Sequence, residues 1–314
     1  MADGPTQKIW RNGQLVDWAD ATVHVMSHAM HYGSSVFEGM RCYETPQGGA
    51  IFRLRDHIRR LHDSARIYRM EMRWSIDDLC QASIDTVGAN DLKACYLRPL
   101  VARTGEHMGI DPSGTPVETF VIAWKWGAYL GHTALANGVD VGVSSWRRAA
   151  PDTFPALAKA GGNYLNSQLA KLEAKANGYA EAIMLDSFGF VGEGSGQNLF
   201  VIREGVVYTS PISAAILNGI TRDSVITIAR DLGLEVREMQ MPREYLYMAD
   251  ECFFTGTAAE LTPIRSIDRI AVGSGQPGEI TRAIQARYLG IATGTVDDLH
   301  GWLTPVPATA GANA

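Results

Sequence analysis

Apolar positions recur along this chain at both the strand and the helix period, without regular alternation of the two. Runs rich in β-formers at residues 36–43, 94–102 and 119–126 read as strands. Between the first two, residues 53–68 put Leu54, Ile58, Leu61 and Ala65 on one helical face and arginines on the other. Ser75, with Asp78 three residues later, has the form of a capping box and predicts a helix ending near Gly88. Pro112, Gly114 and Pro116 mark a loop, and the mixture of Gly, Ala and His at 127–138 reads as a joint. Beyond it come a strand at 139–146, a loop with Pro151 and Pro155, and a helix with Leu165, Leu169 and Leu172 in phase. Further strands are expected at 181–185, 198–202, 206–209, 234–238 and 251–254, with helices at 221–232 and 279–289. There is no internal repeat, and the Ala/Gly tail after Pro307 is expected to fray.

Strands cluster here and helices scatter among them, which is not the rhythm of a doubly wound sheet. The pattern predicts an α+β protein of two domains with a ligand cleft between them. Residues 1–127 form the small domain, 128–138 the interdomain loop and 139–314 the large domain.

Composition narrows the function classes. At 46% hydrophobic and 20% charged residues, the chain suits a soluble globular enzyme. A net charge of −6 argues against nucleic acid or an anionic membrane as partner and leaves anionic small molecules open. The polar start lacks an apolar signal core, and no run of eighteen apolar residues occurs. Cys42, Cys80, Cys95 and Cys252 form no Cys-x-x-Cys pair or disulfide framework, so a cytoplasmic protein is expected.

Four segments and one pair of strand residues carry candidate chemistry. In Ala158-Lys159-Ala160-Gly161-Gly162-Asn163-Tyr164, one lysine sits among residues too small to crowd it, as amine chemistry on a carbonyl cofactor requires; a surface turn would look the same. Gly192-Glu193-Gly194-Ser195-Gly196-Gln197-Asn198 brings a carboxylate into a glycine-rich bend, where it faces a ring nitrogen or merely solvent. Leu217-Asn218-Gly219-Ile220-Thr221-Arg222 precedes a helix and makes either a phosphate site or a plain helix start. Thr255-Gly256-Thr257-Ala258-Ala259 offers hydroxyls and amides to an anion. Tyr96 and Arg98, two apart on a strand, share a face and together suit a carboxylate.

Other chemistries are excluded. Glu193 and Gln197 stand where a serine-hydrolase elbow needs glycines around Ser195. No Walker lysine follows a glycine loop. His24, His28 and His31 have no carboxylate or cysteine at ligand spacing, so they are expected to pack in a turn, and no metal is expected.

The run from Glu193 through Asn198-Leu199-Phe200 and Val207-Tyr208-Thr209 to Leu217-Asn218-Gly219-Ile220-Thr221-Arg222 resembles the signature of the class IV aminotransferases. These enzymes bind pyridoxal 5'-phosphate on the fold of the D-amino-acid aminotransferases, fold type IV. His31-Tyr32-Gly33, Phe37-Glu38-Gly39-Met40-Arg41, Arg60-Leu61-His62, Tyr96-Leu97-Arg98-Pro99-Leu100, Met108-Gly109-Ile110, Trp126-Gly127-Ala128-Tyr129, Ser145-Trp146-Arg147-Arg148 and Gly256-Thr257-Ala258-Ala259-Glu260 make it similar to the branched-chain amino-acid aminotransferases of bacteria. The likeness extends from Ile9 to Pro305.

The resemblance implies a ping-pong transfer of the amino group between L-leucine, L-isoleucine or L-valine and 2-oxoglutarate. It implies that Lys159, in the large domain, holds the cofactor covalently, that Tyr164 meets its phenolic oxygen and that Glu193 pairs with its ring nitrogen. Arg60, Thr257 and the amides of Ile220 and Thr221 would take the phosphate. Tyr96 and the amides of Thr257 and Ala258 would take the substrate α-carboxylate. Phe37, Trp126, Tyr129 and Tyr164 would wall the side-chain pocket, and Arg98 would take the distal carboxylate of glutamate. Tyr32 and Ile110 would enter a neighbouring subunit's site, making a homo-oligomer of at least two chains with shared active sites. D-amino-acid or (R)-amine transamination, or an aminodeoxychorismate lyase, are the alternatives on this fold. Lys125 departs from the family pattern, and its charge is expected to point away from the pocket; Gln197 occupies a variable position.

Overall fold

A computed structural model describes residues 6–106, 108–127 and 131–307. In chain order the strands are β1 (Lys8–Arg11), β2 (Gln14–Asp17), β3 (Ser35–Phe37), β4 (Met40–Thr45), β5 (Gly48–Phe52), β6 (Cys95–Arg103) and β7 (Val117–Trp124). Then follow β8 (Val139–Val143), β9 (Glu181–Leu185), β10 (Val191–Gly194), β11 (Asn198–Arg203), β12 (Val206–Thr209) and β13 (Val236–Glu238). The last are β14 (Glu251–Gly256), β15 (Glu260–Ile267), β16 (Ile270–Ala271) and β17 (Leu303–Pro305). The helices are α1 (His28–Tyr32), α2 (Leu54–Ile67), α3 (Ile76–Ala89), α4 (His132–Asn137), α5 (Tyr164–Ala176), α6 (Ile220–Asp231) and α7 (Glu279–Ala292).

Two compact units divide these elements. The first comprises the described part of Met1–Gly127, Ala158–Gly162 and the described residues from Gly290 onward. The second comprises the described part of Ala128–Leu157, and Asn163–Leu289. The segment bearing Lys159 thus clusters with the first unit.

The first unit's sheet runs β17-β5-β4-β6-β7-β1-β2, with β3 also on β6, and all its pairs are antiparallel. The hairpin β1–β2 turns on Asn12 and Gly13, both at positive φ (47° and 94°), the conformation an Asn-Gly pair adopts most readily. Leu54, Ile58, Leu61 and Ala65 of α2 are buried in this unit's core, as their spacing predicts. Ser75 and Asp78 close the expected capping box on α3.

The run 36–43 breaks into β3 and β4. Glu38, between them, is fully buried and bonded to α2 side chains.

The second unit's sheet runs β10-β9-β8-β15-β14-β11-β12-β13, with β16 on β15. It is mixed: β8 lies parallel to both β9 and β15. The interior strand β11 is buried at every position but its last, as expected of a strand covered on both faces. Residues 132–137, read as part of a joint, form α4.

The in-phase leucines of α5 lie on its outward face. Leu165, Leu169 and Leu172 are 64%, 41% and 63% exposed, whereas Ala170 and Ala174 are buried against Ala182 and Met184. Alanines let the helix lie close to β9, and that approach decides which face is inward. Among the described residues, no helix is long and apolar enough to cross a membrane.

Candidate active site

In the first unit, the backbone of Lys159 is pinned on both sides. Its N–H donates to Ser64 Oγ of α2 (3.0 Å), and its carbonyl accepts from Phe37 N (2.9 Å). Ala160 bridges to Val36, so the lysine rides a short extended stretch laid on β3. Ala158 and Ala160 are buried, while Lys159 projects Nζ to 5.0 Å from the centre of the Phe37 ring. A Cβ on Gly161 would lie 2.5 Å from Ser35 Oγ, which explains a small residue beside the lysine.

Arg60, on α2, donates from Nε and Nη2 to the two oxygens of Glu38 (2.6 and 2.8 Å). His57 Nδ1 lies 2.7 Å from the same carboxylate. Burial alone would raise the Glu38 carboxyl, but Arg60 and then His57 outweigh it and hold it well below the usual carboxylate range. Burial pushes His57 down; Glu38 opposes this, and the charges of Arg60 and Lys159 reinforce it. A neutral His57 therefore donates its Nδ1 proton to an ionised Glu38. The bidentate pair fixes the Arg60 fork in one plane.

Tyr96 and Arg98 share a face of β6, with Arg98 Nη2 3.4 Å from Tyr96 Oη. The Arg98 guanidinium sits 4.5 Å from the Phe37 ring centre, 5.4 Å from Tyr96 and 5.8 Å from Trp124. Its Nε is buried with no hydrogen-bond partner among the described residues. Trp126 meets Tyr96 edge-on at 4.4 Å. A Cβ on Gly39 would fall 1.9 Å from Tyr96 Oη, so only glycine lets this hydroxyl lie where it does. The structure thus gathers Phe37, Tyr96 and Trp126 around the Arg98 guanidinium. Tyr32, against His28, and Ile110 stand outside this group, 45% and 87% exposed. Lys125 is exposed.

His28 is buried, with its ring nitrogens 2.7 Å from Ser34 Oγ and 3.0 Å from the Gly109 carbonyl. His31 meets the Val25 carbonyl, and His24 faces Glu106. Among the described residues, no group of three His, Cys, Asp or Glu is placed to hold a metal ion.

In the second unit, Glu193 is buried on β10, and donors reach both its oxygens. Arg148 Nη2 meets Oε1 at 3.0 Å; Asn198 Nδ2 and the Leu217 amide meet Oε2 at 2.9 and 3.1 Å. Glu193 is therefore no solvated turn residue. The following bend is tied down by the fully buried Glu181 of β9, which accepts from Ser195 Oγ (2.6 Å), Gln197 Nε2 (3.0 Å) and Lys171 Nζ (2.8 Å).

The helix α6 starts after Gly219 with no side-chain cap, leaving its first-turn amides, Ile220 and Thr221 among them, for another acceptor. Arg222 anchors that turn by donating to the Ser210 carbonyl (3.0 Å) and Glu238 (2.5 Å). Thr257 and Ala258 lie in the turn between β14 and β15, and Tyr164 opens α5. Thr255, opposite Asn198 in the β11–β14 register, has a buried hydroxyl with no partner among the described residues. Tyr129 lies outside the described residues.

Sequence reading gave no role to Arg148, Glu181, Glu38 or Gln197. A charged or amide residue inside an apolar β-run was the available signal for Glu38 and Glu181. No signal joined Arg148 to Glu193 across the intervening chain.

Comparison with known proteins bears on what this arrangement does. Residues 35–267 match the family model described as amino-transferase class IV. The branched-chain-amino-acid aminotransferase of Escherichia coli (strain K12) is 52% identical over 299 residues, covering 95% of this chain and 97% of that protein. The crystal structure of the Escherichia coli branched-chain amino acid aminotransferase superposes with a TM-score of 0.94 at 51% identity, covering 96% of this chain and all (100%) of that one. The branched-chain amino acid aminotransferase from Thermobaculum terrenum, solved in its PLP-form (holo-form), gives a TM-score of 0.90 at 38% identity, over 96% of this chain and 99% of that one.

Proposed function

This chain belongs to the class IV aminotransferase family, and on that premise we propose a reversible amino transfer between L-leucine, L-isoleucine or L-valine and 2-oxoglutarate. The cofactor is pyridoxal 5'-phosphate. The donor set suits it: an uncapped helix start for a phosphate, a lysine amine, and a buried carboxylate for a ring nitrogen. The observation that carries the reading is the setting of Glu193, an acid whose buried charge is sustained by Arg148, Asn198 and the Leu217 amide. When bound, pyridoxal phosphate supplies a carbonyl for amines and a ring that accepts electrons.

The chain's own residues do the rest. Glu193 holds a proton at the ring nitrogen, where an anion favours the charged ring. Tyr164 hydrogen-bonds the phenolic oxygen. Arg60, Thr257 and the amides of Ile220 and Thr221 bind the phosphate, the amides through the positive end of α6. Lys159 Nζ would hold the cofactor, and its amine would take and return the proton at the reacting carbon. Tyr96 and the amides of Thr257 and Ala258 orient the α-carboxylate. Phe37, Trp126 and Tyr164 would exclude water around an aliphatic side chain. Arg98, beside Phe37 and Tyr96, meets the second carboxylate of glutamate or 2-oxoglutarate.

Tyr32 and Ile110 serve a neighbouring copy of the chain. Their exposure, and that of the α5 leucines, supports a homo-oligomer of at least two chains. A cytoplasmic setting agrees with four free cysteines.

Replacing Lys159 tests the reading. Lys159→Ala should lose several orders of magnitude in turnover, since general acid–base catalysis alone contributes about 10²–10⁴-fold. Adding L-leucine without an acceptor should alter the cofactor spectrum of the wild type and not of the variant. A variant retaining a tenth of wild-type activity would sink the assignment.

A further inference from the structure

Gly219 is a glycine for a reason outside its own backbone. Its dihedral angles, φ −69° and ψ 133°, are ones any residue adopts. A Cβ there, however, would lie 1.9 Å from Asn198 Oδ1 and 3.1 Å from Asn198 Cγ. The Asn198 amide is not a flexible tip that moves aside. It is buried, and its Nδ2 donates to Glu193 Oε2 and to the Leu217 carbonyl, both at 2.9 Å. The Leu217 amide donates to the same Glu193 oxygen at 3.1 Å. Glu193, Asn198 and Leu217 thus close a small ring of hydrogen bonds. Two residues beyond Leu217 the chain reaches Gly219, whose carbonyl accepts from Asp223 N (2.9 Å) to begin α6.

We propose that Asn198 is the positioning residue that sets the spacing between the Glu193 carboxylate and the first turn of α6, with Gly219 as the surface it packs on. The inference rests on the reading that Glu193 faces the ring nitrogen of the cofactor and the α6 start its phosphate. One amide then ties together the two groups of this unit that must fit opposite ends of one rigid ligand. Asn198 touches neither end of that ligand in this role; it acts through Glu193, Leu217 and Gly219. A shift of the helix start relative to Glu193 weakens the phosphate's share of binding most, because that share depends on both ends being met at once.

The test compares two probes on the apoenzyme, pyridoxal 5'-phosphate and pyridoxal, which lacks the phosphate. Dissociation constants are taken from tryptophan-fluorescence titrations, with thermal melting of each apoprotein alongside. Asn198→Ala should weaken pyridoxal phosphate at least tenfold, equivalent to about 1.4 kcal/mol, and pyridoxal by clearly less. Gly219→Ala should shift the preference in the same direction. The double variant should be no worse than Asn198→Ala, because the added methyl occupies the space the amide oxygen has left. Should Asn198→Ala fail to give folded apoprotein, Gly219→Ala alone and combined with Asn198→Ser carries the same comparison.

Equal losses for the two probes would mean that Asn198 supports the fold and nothing more. Additive costs of the two substitutions would remove the contact between Asn198 and Gly219 from the explanation. Either result overturns the proposal. Arg60→Ala separates it from the reading beneath it. If that variant leaves the preference for the phosphorylated probe unchanged, the phosphate assignment falls and the proposal with it. If Arg60→Ala lowers the preference and the Asn198 and Gly219 variants do not, only the proposal falls.

Discussion

Replacing Arg98 by leucine should separate the two halves of the reaction. The guanidinium stacks 4.5 Å from Phe37, lies near Tyr96 and Trp124, and keeps a buried Nε with no partner among the described residues. Two magnitudes compete. A charge-assisted contact to a distal carboxylate contributes about 1.5–3 kcal/mol. At about 1.4 kcal/mol per decade, its loss lowers kcat/KM for glutamate and 2-oxoglutarate roughly 10- to 150-fold. Removing the cation from the aromatic faces costs about 0.5–1 kcal/mol per good contact, and the leucine side chain refills part of the space. That second loss falls on every substrate of the shared pocket. L-Leucine has no second carboxylate, so its half-reaction should slow by about fivefold or less, the equivalent of about 1 kcal/mol. Stopped-flow single turnovers with L-leucine and with L-glutamate, each without an acceptor, read the two separately. Equal losses would refute the distal-carboxylate role and locate the damage in the pocket wall. No loss for either would make Arg98 a structural cation.

Two further outcomes follow from the buried acids. Glu193→Gln places an amide N–H₂ against Arg148 on one side or against Asn198 and Leu217 on the other, so turnover should fall and melting should drop by several degrees, since breaking a buried ion pair costs about 3–5 kcal/mol. Unchanged melting would show that the Arg148 pair contributes nothing, and unchanged turnover that Glu193 serves the fold alone. Glu38 has a folded-state pKa below its unfolded value of about 4.3, because Arg60 and His57 outweigh the burial that would raise it. Its ionised form therefore contributes stability that is fully present above that unfolded value and is lost as pH falls through the folded one. Urea titrations between pH 6 and pH 3 should show a shallower pH dependence for Glu38→Gln than for the wild type, by about one proton; parallel curves would refute the coupling.

Local patterns in the sequence settled much of the architecture. The α2 face, the Ser75–Asp78 cap and the strands at 181–185 and 206–209 follow from spacing alone, because each depends on residues within a turn or two. The Asn12-Gly13 hairpin, which was not among the expected elements, rests on an equally local signal. The lysine, the acid and the glycine before α6 were visible as residue types, and their combination pointed to one family. Tertiary structure decided what sits against them. Arg148 reaches Glu193, Glu181 holds Ser195 and Gln197, and Glu38 meets Arg60 through contacts 14 to 45 residues apart along the chain, and no local period encodes such distances. The α5 leucines show the limit from the other side: an apolar stripe announces that a face will be covered, but the close approach of Ala170 and Ala174 to β9 decides which face the fold itself covers. Gly219 shows it most plainly, since its backbone would accept any residue and the amide of Asn198, 21 positions earlier, leaves no room for a side chain.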